Sequence, residues 1–268
     1  MKKVMWMVLV LVMPAIMVKA QMREVTNTVF QRGEILTYRV YYESLLTGKV
    51  TAGILTMEVT KDNKVINERN TFHITAVGKT KGAFNFFFKV LDRYETYMDE
   101  KSLVPWLFIR RVDEGSYIIN QDVTFNQNKN VAYFKDNKRK RSSTVVTPPN
   151  IQDILSAIYY MRSYDFANIN TNDELPVKFM LDDTVFSSKV TYLGKSSIDI
   201  GIGKVKCIKL KPQVITGSVF KDPYPVIVYA SDDKNRIPIY AEGEVLVGKV
   251  KMELVNWSGL KNSFSALE

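Results

Sequence analysis

Lys249-Val250-Lys251-Met252-Glu253-Leu254 sets an apolar residue at every second position among charged ones. A period of two puts the apolar side chains on one face of an extended strand and the charges on the other. The same alternation runs through Thr37 to Tyr42, where Tyr38, Val40 and Tyr42 share a face. It recurs in Leu55, Met57 and Val59, and in Phe72, Ile74 and Ala76. Turn-forming clusters separate these runs at short intervals: Lys61-Asp62-Asn63-Lys64, Asp113-Glu114-Gly115, Asn126-Gln127-Asn128, Lys135-Asp136-Asn137, Asp182-Asp183 and Ser231-Asp232-Asp233-Lys234-Asn235. About a dozen strands joined by hairpins follow from this spacing. The fold class is mainly β: a large antiparallel curved sheet or open barrel, with a sandwich as the alternative.

One segment has a different period. After Thr147-Pro148-Pro149, Asn150 is placed to cap a helix near 151–162, in which Ile151, Ile154, Leu155, Ile158 and Met161 recur at helical spacing. One amphipathic helix in a β protein suits a lid or plug that buries its apolar stripe against the sheet. No Gly/Ser-rich or charged linker divides the chain. Residues 21–268 are therefore expected to form a single β-rich domain.

The N-terminus carries an address. Met1-Lys2-Lys3, an apolar run from Val4 to Val18, and Val18-Lys19-Ala20 before Gln21 have the three parts of a cleavable secretory signal. The apolar run is short for a spanning helix, so cleavage after Ala20 and a periplasmic location are expected. The only cysteine, Cys207, is far from the cut. That position argues against a lipoprotein, and a lone cysteine also precludes an intramolecular disulfide. Of the formal charge of +9, three units come from Lys2, Lys3 and Lys19, leaving +6. In an exported chain this favours anionic surfaces over nucleic acid.

Catalytic signals are sparse. The single histidine, His73, lies on a strand face with Thr71 and Thr75, and no Gly-x-Ser-x-Gly elbow accompanies it. The acidic pairs Asp99-Glu100, Asp113-Glu114, Asp182-Asp183 and Asp232-Asp233 fall in turns, where carboxylates bond nearby amides. Gly201-Ile202-Gly203-Lys204 lacks the spacing and the following helix of a phosphate loop, and reads as a hairpin turn. No metal or cofactor set is expected, since one histidine and one cysteine are too few for a zinc site.

Two features point to binding. Phe84-Asn85-Phe86-Phe87-Phe88 puts four aromatics in five positions, too many for one strand face, so both faces are apolar or the segment curls, and something apolar is expected to cover it. With Tyr38, Tyr42, Tyr94, Ile154 and Ile158 it forms the expected apolar lining of a ligand site. The basic run Lys138-Arg139-Lys140-Arg141 is the candidate contact with a membrane surface or a protein partner, or a charged guard on an edge strand.

Four segments together resemble the exported bacterial family called domain of unknown function 3108. They are Gly33-Glu34-Ile35-Leu36-Thr37-Tyr38 followed by Ala52-Gly53; Asp92-Arg93-Tyr94-Glu95-Thr96-Tyr97-Met98-Asp99 leading to Leu103-Val104-Pro105; Gln152 through Arg162; and Ser231 through Pro238. The resemblance implies a β-rich envelope protein of Gram-negative bacteria and carries over no catalytic residue. By fold analogy alone, an open barrel with a helix at its mouth is similar to the periplasmic carriers of lipoproteins. Three functions are therefore weighed. First is a non-enzymatic periplasmic protein holding an apolar ligand or envelope lipid in a concave β surface. Second is an envelope scaffold docking another protein, and third a carbohydrate hydrolase using turn carboxylates.

Overall fold

The computed structural model describes residues 22–46, 48–216, 222–245 and 247–268. The expected signal and its cut after Ala20 lie outside the described residues. Fourteen strands form one sheet: β1 (Ile35–Ser44), β2 (Gly48–Ile66), β3 (Arg69–Thr80), β4 (Val90–Asp99), β5 (Pro105–Glu114), β6 (Tyr117–Asn126), β7 (Val131–Asp136), β8 (Arg141–Val146), β9 (Glu174–Leu181), β10 (Thr184–Ile200), β11 (Gly203–Pro212), β12 (Val226–Ser231), β13 (Pro238–Glu244) and β14 (Lys249–Ser258). Every neighbouring pair is antiparallel, in the order 8-7-6-5-4-3-2-1-14-13-12-11-10-9. The chain thus makes two meanders, β1–β8 and β9–β14, joined in mid-sheet where Val40 faces Met252. The sheet is curved and unclosed, with β8 and β9 at its edges.

The alternation that opened the sequence becomes burial only toward its end, Val250 staying exposed and Met252 half-buried. Leu254 is fully buried on β14, and Leu36 and Tyr38 are buried on β1 beside it. Inward side chains of the first meander, among them Met57, Ile74, Met98, Phe108, Val123 and Phe134, form the main core. On β11 both faces are covered. Ile208 and Leu210 point one way; Val205 and Cys207 point the other, under a C-terminal segment whose Ala266 carbonyl accepts from Lys206 N at 2.8 Å. Burial pushes the Cys207 thiol up to about 12.

Two sequence expectations shift. The turn expected at Lys61–Lys64 is a bulge inside β2, where the register slips between Val59 and Asn63. The chain reverses later, at Asn67 and Glu68, both with positive φ of 50° and 62°. Two successive left-handed residues match the twist of a tight hairpin, whereas a polar run can be looped out of one strand. The mid-chain helix α2 (Ile154–Arg162) begins three residues after the expected start, because Asp153 rather than Asn150 caps it. The Asp153 carboxylate accepts from Leu155 N and Ser156 N at 2.8 Å each, and Ser156 Oγ accepts from Asp153 N at 2.9 Å. Asn150 instead accepts from Arg23 N at 3.0 Å.

A second helix, α1 (Gly82–Phe87), forms in the phenylalanine run between β3 and β4. It is a single turn and a half without a side-chain cap, so the run curls instead of continuing as a strand.

Antiparallel pairing sends alternate connections to opposite ends of the curved sheet. The β1–β2, β3–β4, β5–β6, β7–β8, β9–β10, β11–β12 and β13–β14 connections share one end, here the near rim. The remaining connections, including the passage from β8 through α2 to β9, belong to the far rim.

Candidate functional site

Helix α2 is amphipathic twice over. Leu155 and Tyr159 enter the main core, while Ile154, Ala157, Ile158 and Met161 face a separate apolar groove. Its opposite wall is the second meander: Val177, Phe179 and Leu181 of β9, Val190 of β10, Ile208 and Leu210 of β11, and Val228 and Ala230 of β12. The groove has a volume of about 600 Å³. Pro212 through Thr216, which follow β11, and Leu181 at the end of β9 bring it to the near rim. The edge of β9 is itself covered by the residues entering α2: Gln152 N donates to Lys178 O at 3.1 Å, and Met180 N to Gln152 O at 2.8 Å. These bonds fix the helix against one wall and leave its apolar face over the groove.

Two cations line the groove, Arg162 and Arg236. Arg162 closes α2 and is fully engaged. Its guanidinium grips Glu34 through Nη1 to Oε1 at 2.6 Å and Nη2 to Oε2 at 2.8 Å, and donates to the Asn235 carbonyl at 3.1 Å. Burial alone would lower its pKa, but the Glu34 carboxylate and the hydrogen bonds to it hold the pKa above the ordinary arginine value. Arg236, in the β12–β13 turn, donates through Nη1 to the Arg162 carbonyl at 3.2 Å and lies 5.8 Å from the Phe166 ring centre. Among the described residues no carboxylate lines the groove.

The residues singled out in the sequence are dispersed. Ile154 and Ile158 line the groove. Tyr38 is sealed in the core beside Arg162 and Glu34, and burial raises its pKa well above that of a free phenol. Tyr94 packs against the core, 6.3 Å from Phe108. Tyr42 and Phe84 pair at 6.2 Å near the near rim. Phe86 and Phe88 are exposed, and the Phe87 side chain lies outside the described part of the structure. Lys138, Arg139, Lys140 and Arg141 occupy the β7–β8 tip. There Arg141 reaches Asp183 at 3.1 Å, beside groove residue Leu181.

His73 is more enclosed than a surface histidine. It meets Glu95 Oε2 at 2.8 Å and stacks on Tyr97 with ring centres 4.3 Å apart. Most of the turn carboxylates have a local task. Burial favours the neutral form of Asp99, yet Arg69, Ser102 and Trp106 bond to it and hold its pKa down at about 2. Asp182 pairs with Arg110 at 3.1 Å, and Asp233 accepts from Ser231 Oγ and Asn235 N. Asp92 is pushed up to about 6 by burial and by the Glu114 carboxyl that bonds to it.

The second-meander wall of the groove was not singled out in the sequence, because its alternating apolar residues have the same period as any half-buried strand. The Glu34–Arg162 pair was missed too, although a charge ending an apolar helix was visible as Arg162. The four segments that carried the resemblance converge here. Glu34 belongs to the first, Thr96, whose hydroxyl donates to Asp153 at 2.6 Å, to the second, Asp153 and Arg162 to the third, and Asn235 to the fourth.

Three solved structures are similar to this chain to different degrees. A β-barrel-like protein of domain of unknown function DUF1849 from Brucella abortus matches with a TM-score of 0.55 at 11% identity, over 87% of this chain and 99% of that one. A candidate lipoprotein from Parabacteroides distasonis gives 0.37 at 12% identity, over 88% and 100%. A candidate exported protein with a YmcC-like fold from Bacteroides fragilis gives 0.35 at 7% identity, over 89% and 100%. No curated protein matches the chain. The model of the DUF3108 family, described as proteins of unknown function, matches residues 37–255, and the chain belongs to that family.

Proposed function

We propose that this protein is a non-enzymatic binding protein of the cell envelope that holds the acyl chain of an amphiphile in the groove between α2 and β9–β12. The observation that carries the reading is the groove itself. Its volume of about 600 Å³ falls in the range of small-molecule sites, and its walls are aliphatic and aromatic side chains from one helix and four strands. Its placement under the helix fits a ligand that enters lengthwise from the near rim. The envelope location rests on the N-terminal pattern of Lys2-Lys3, apolar run and Val18-Lys19-Ala20.

Burying one methylene is worth about 0.8 kcal/mol, so affinity should rise about fourfold per added CH₂ until the groove is full, then level off. Titration of the delipidated protein with fluorescent and competing saturated fatty acids reads this series. Lipid carried through purification is read by mass spectrometry. Absence of binding across all chain lengths, with no co-purified lipid, would sink the reading.

A further inference from the structure

Fourteen large apolar side chains stay exposed among the described residues, and they are not spread evenly. Nine lie in the near-rim connections or within two residues of them; at the far rim four do so, Val65, Val146, and Ile158 and Tyr164 in the long passage from β8 to β9. Leu45 and Leu46 at the β1–β2 tip are fully exposed, Phe86 on α1 is 89% exposed, and Val247 caps the β13–β14 tip. These tips touch. Tyr42 Oη donates to the Val247 carbonyl at 2.8 Å, and a Cβ on Gly248 would stand 2.3 Å from the Glu43 carbonyl oxygen. Phe84 leans on Tyr42 from α1, which places the phenylalanine run beside both tips.

The same rim carries Lys79, Lys81, Lys89, Lys138 and Lys140, all exposed. Among the described residues none of the five has a carboxylate within ion-pair distance; the paired lysines are 189, 195, 204, 206, 249 and 251. Apolar side chains protruding from turns, interspersed with unpaired lysines on long aliphatic stems, match the boundary between acyl chains and anionic headgroups. A protein partner would more commonly meet a surface depleted in lysine.

We infer that the near rim docks on the surface of a bilayer containing anionic lipids, with the β1–β2 tip and α1 entering the interface and the β7–β8 lysines lying against the headgroups. The groove reaches the same rim through Leu181 and Pro212–Thr216, so docking would set its entrance on the lipid. The docking itself does not depend on the acyl-binding reading.

The test uses the full chain with an environment-sensitive fluorophore on Leu46→Cys or on Val146→Cys, since Cys207 is buried. Vesicles of phosphatidylglycerol and phosphatidylcholine carry brominated acyl chains as quencher. The first described residues run along the far rim, where Val25 N donates to Lys101 O at 2.7 Å and Arg23 to Ser102 O at 2.9 Å. A tether at that end would therefore quench position 146 and spare position 46.

The expected result is quenching at 46 on the order of threefold greater than at 146, stronger with phosphatidylglycerol and weakened by salt. Lys138→Gln with Lys140→Gln should lower vesicle partitioning on the order of fivefold per residue replaced. Equal quenching at both positions, greater quenching at 146, or none at either overturns the inference. Fatty-acid titration without vesicles reads the groove separately, so either idea can fail alone.

Discussion

Arg162 spends both ends of its guanidinium on Glu34, so removing either charge strands the other in an interior closed to water. Glu34→Gln or Arg162→Met is expected to cost about 3–5 kcal/mol in urea unfolding. The double replacement Glu34→Leu with Arg162→Leu should recover much of that loss, because no lone charge then remains. Asp153 gives a pH signature of known sign. Burial raises its pKa from 3.8 to about 6 despite bonds from Thr96, Ser156 and Leu155 that favour the anion. The native state then holds a proton that the unfolded chain releases between those values. The contribution is full below pH 3.8 and fades as pH rises through about 6, by about 3 kcal/mol. Asp92 acts with the same sign, so the Asp153 share is the difference from Asp153→Asn, whose stability should fall less over that window.

Helix α2 separates two apolar spaces, and replacing a groove-facing residue should affect them unequally. Ile158 is partly exposed and faces the groove, so Ile158→Glu is expected to change stability by less than about 1 kcal/mol. The same change should weaken fatty-acid binding more than tenfold, since a carboxylate would have to be buried against the chain. Arg236→Gln should weaken a fatty acid several-fold and leave the corresponding fatty alcohol unchanged, by fluorescence competition, because only the acid offers a charge to the guanidinium. Much at this scale was legible: period-two strands, hairpin turns at Asp182-Asp183 and Gly201–Gly203, and an amphipathic helix ending at Arg162. The helix start was not, since Asn150 and Asp153 are both good caps and only the pairing of Gln152 with β9 selects the second. The phenylalanine run could be read as a segment that curls, but not as a helix, because a short aromatic run has weak helix propensity and no cap to mark it.

The order of the strands lies beyond periodicity, because an alternating strand pairs equally well with many neighbours. So the groove was invisible as a site, even though Ile154 and Ile158 were named for it; its other wall comes from strands that meet α2 only through the fold. The β1–β14 seam has a further consequence, for the course of folding. Each meander is built from hairpins between sequence neighbours, whose loops close at small entropic cost, whereas the seam unites residues 35 and 258. Two half-sheets should therefore arise early and wait for one long-range encounter. In stopped-flow refolding, Ala132→Gly in the β7 strand, whose pairing precedes that encounter, is expected to slow the folding limb and leave unfolding nearly unchanged, while Val40→Ala at the seam, whose packing is completed only after it, should also hasten unfolding.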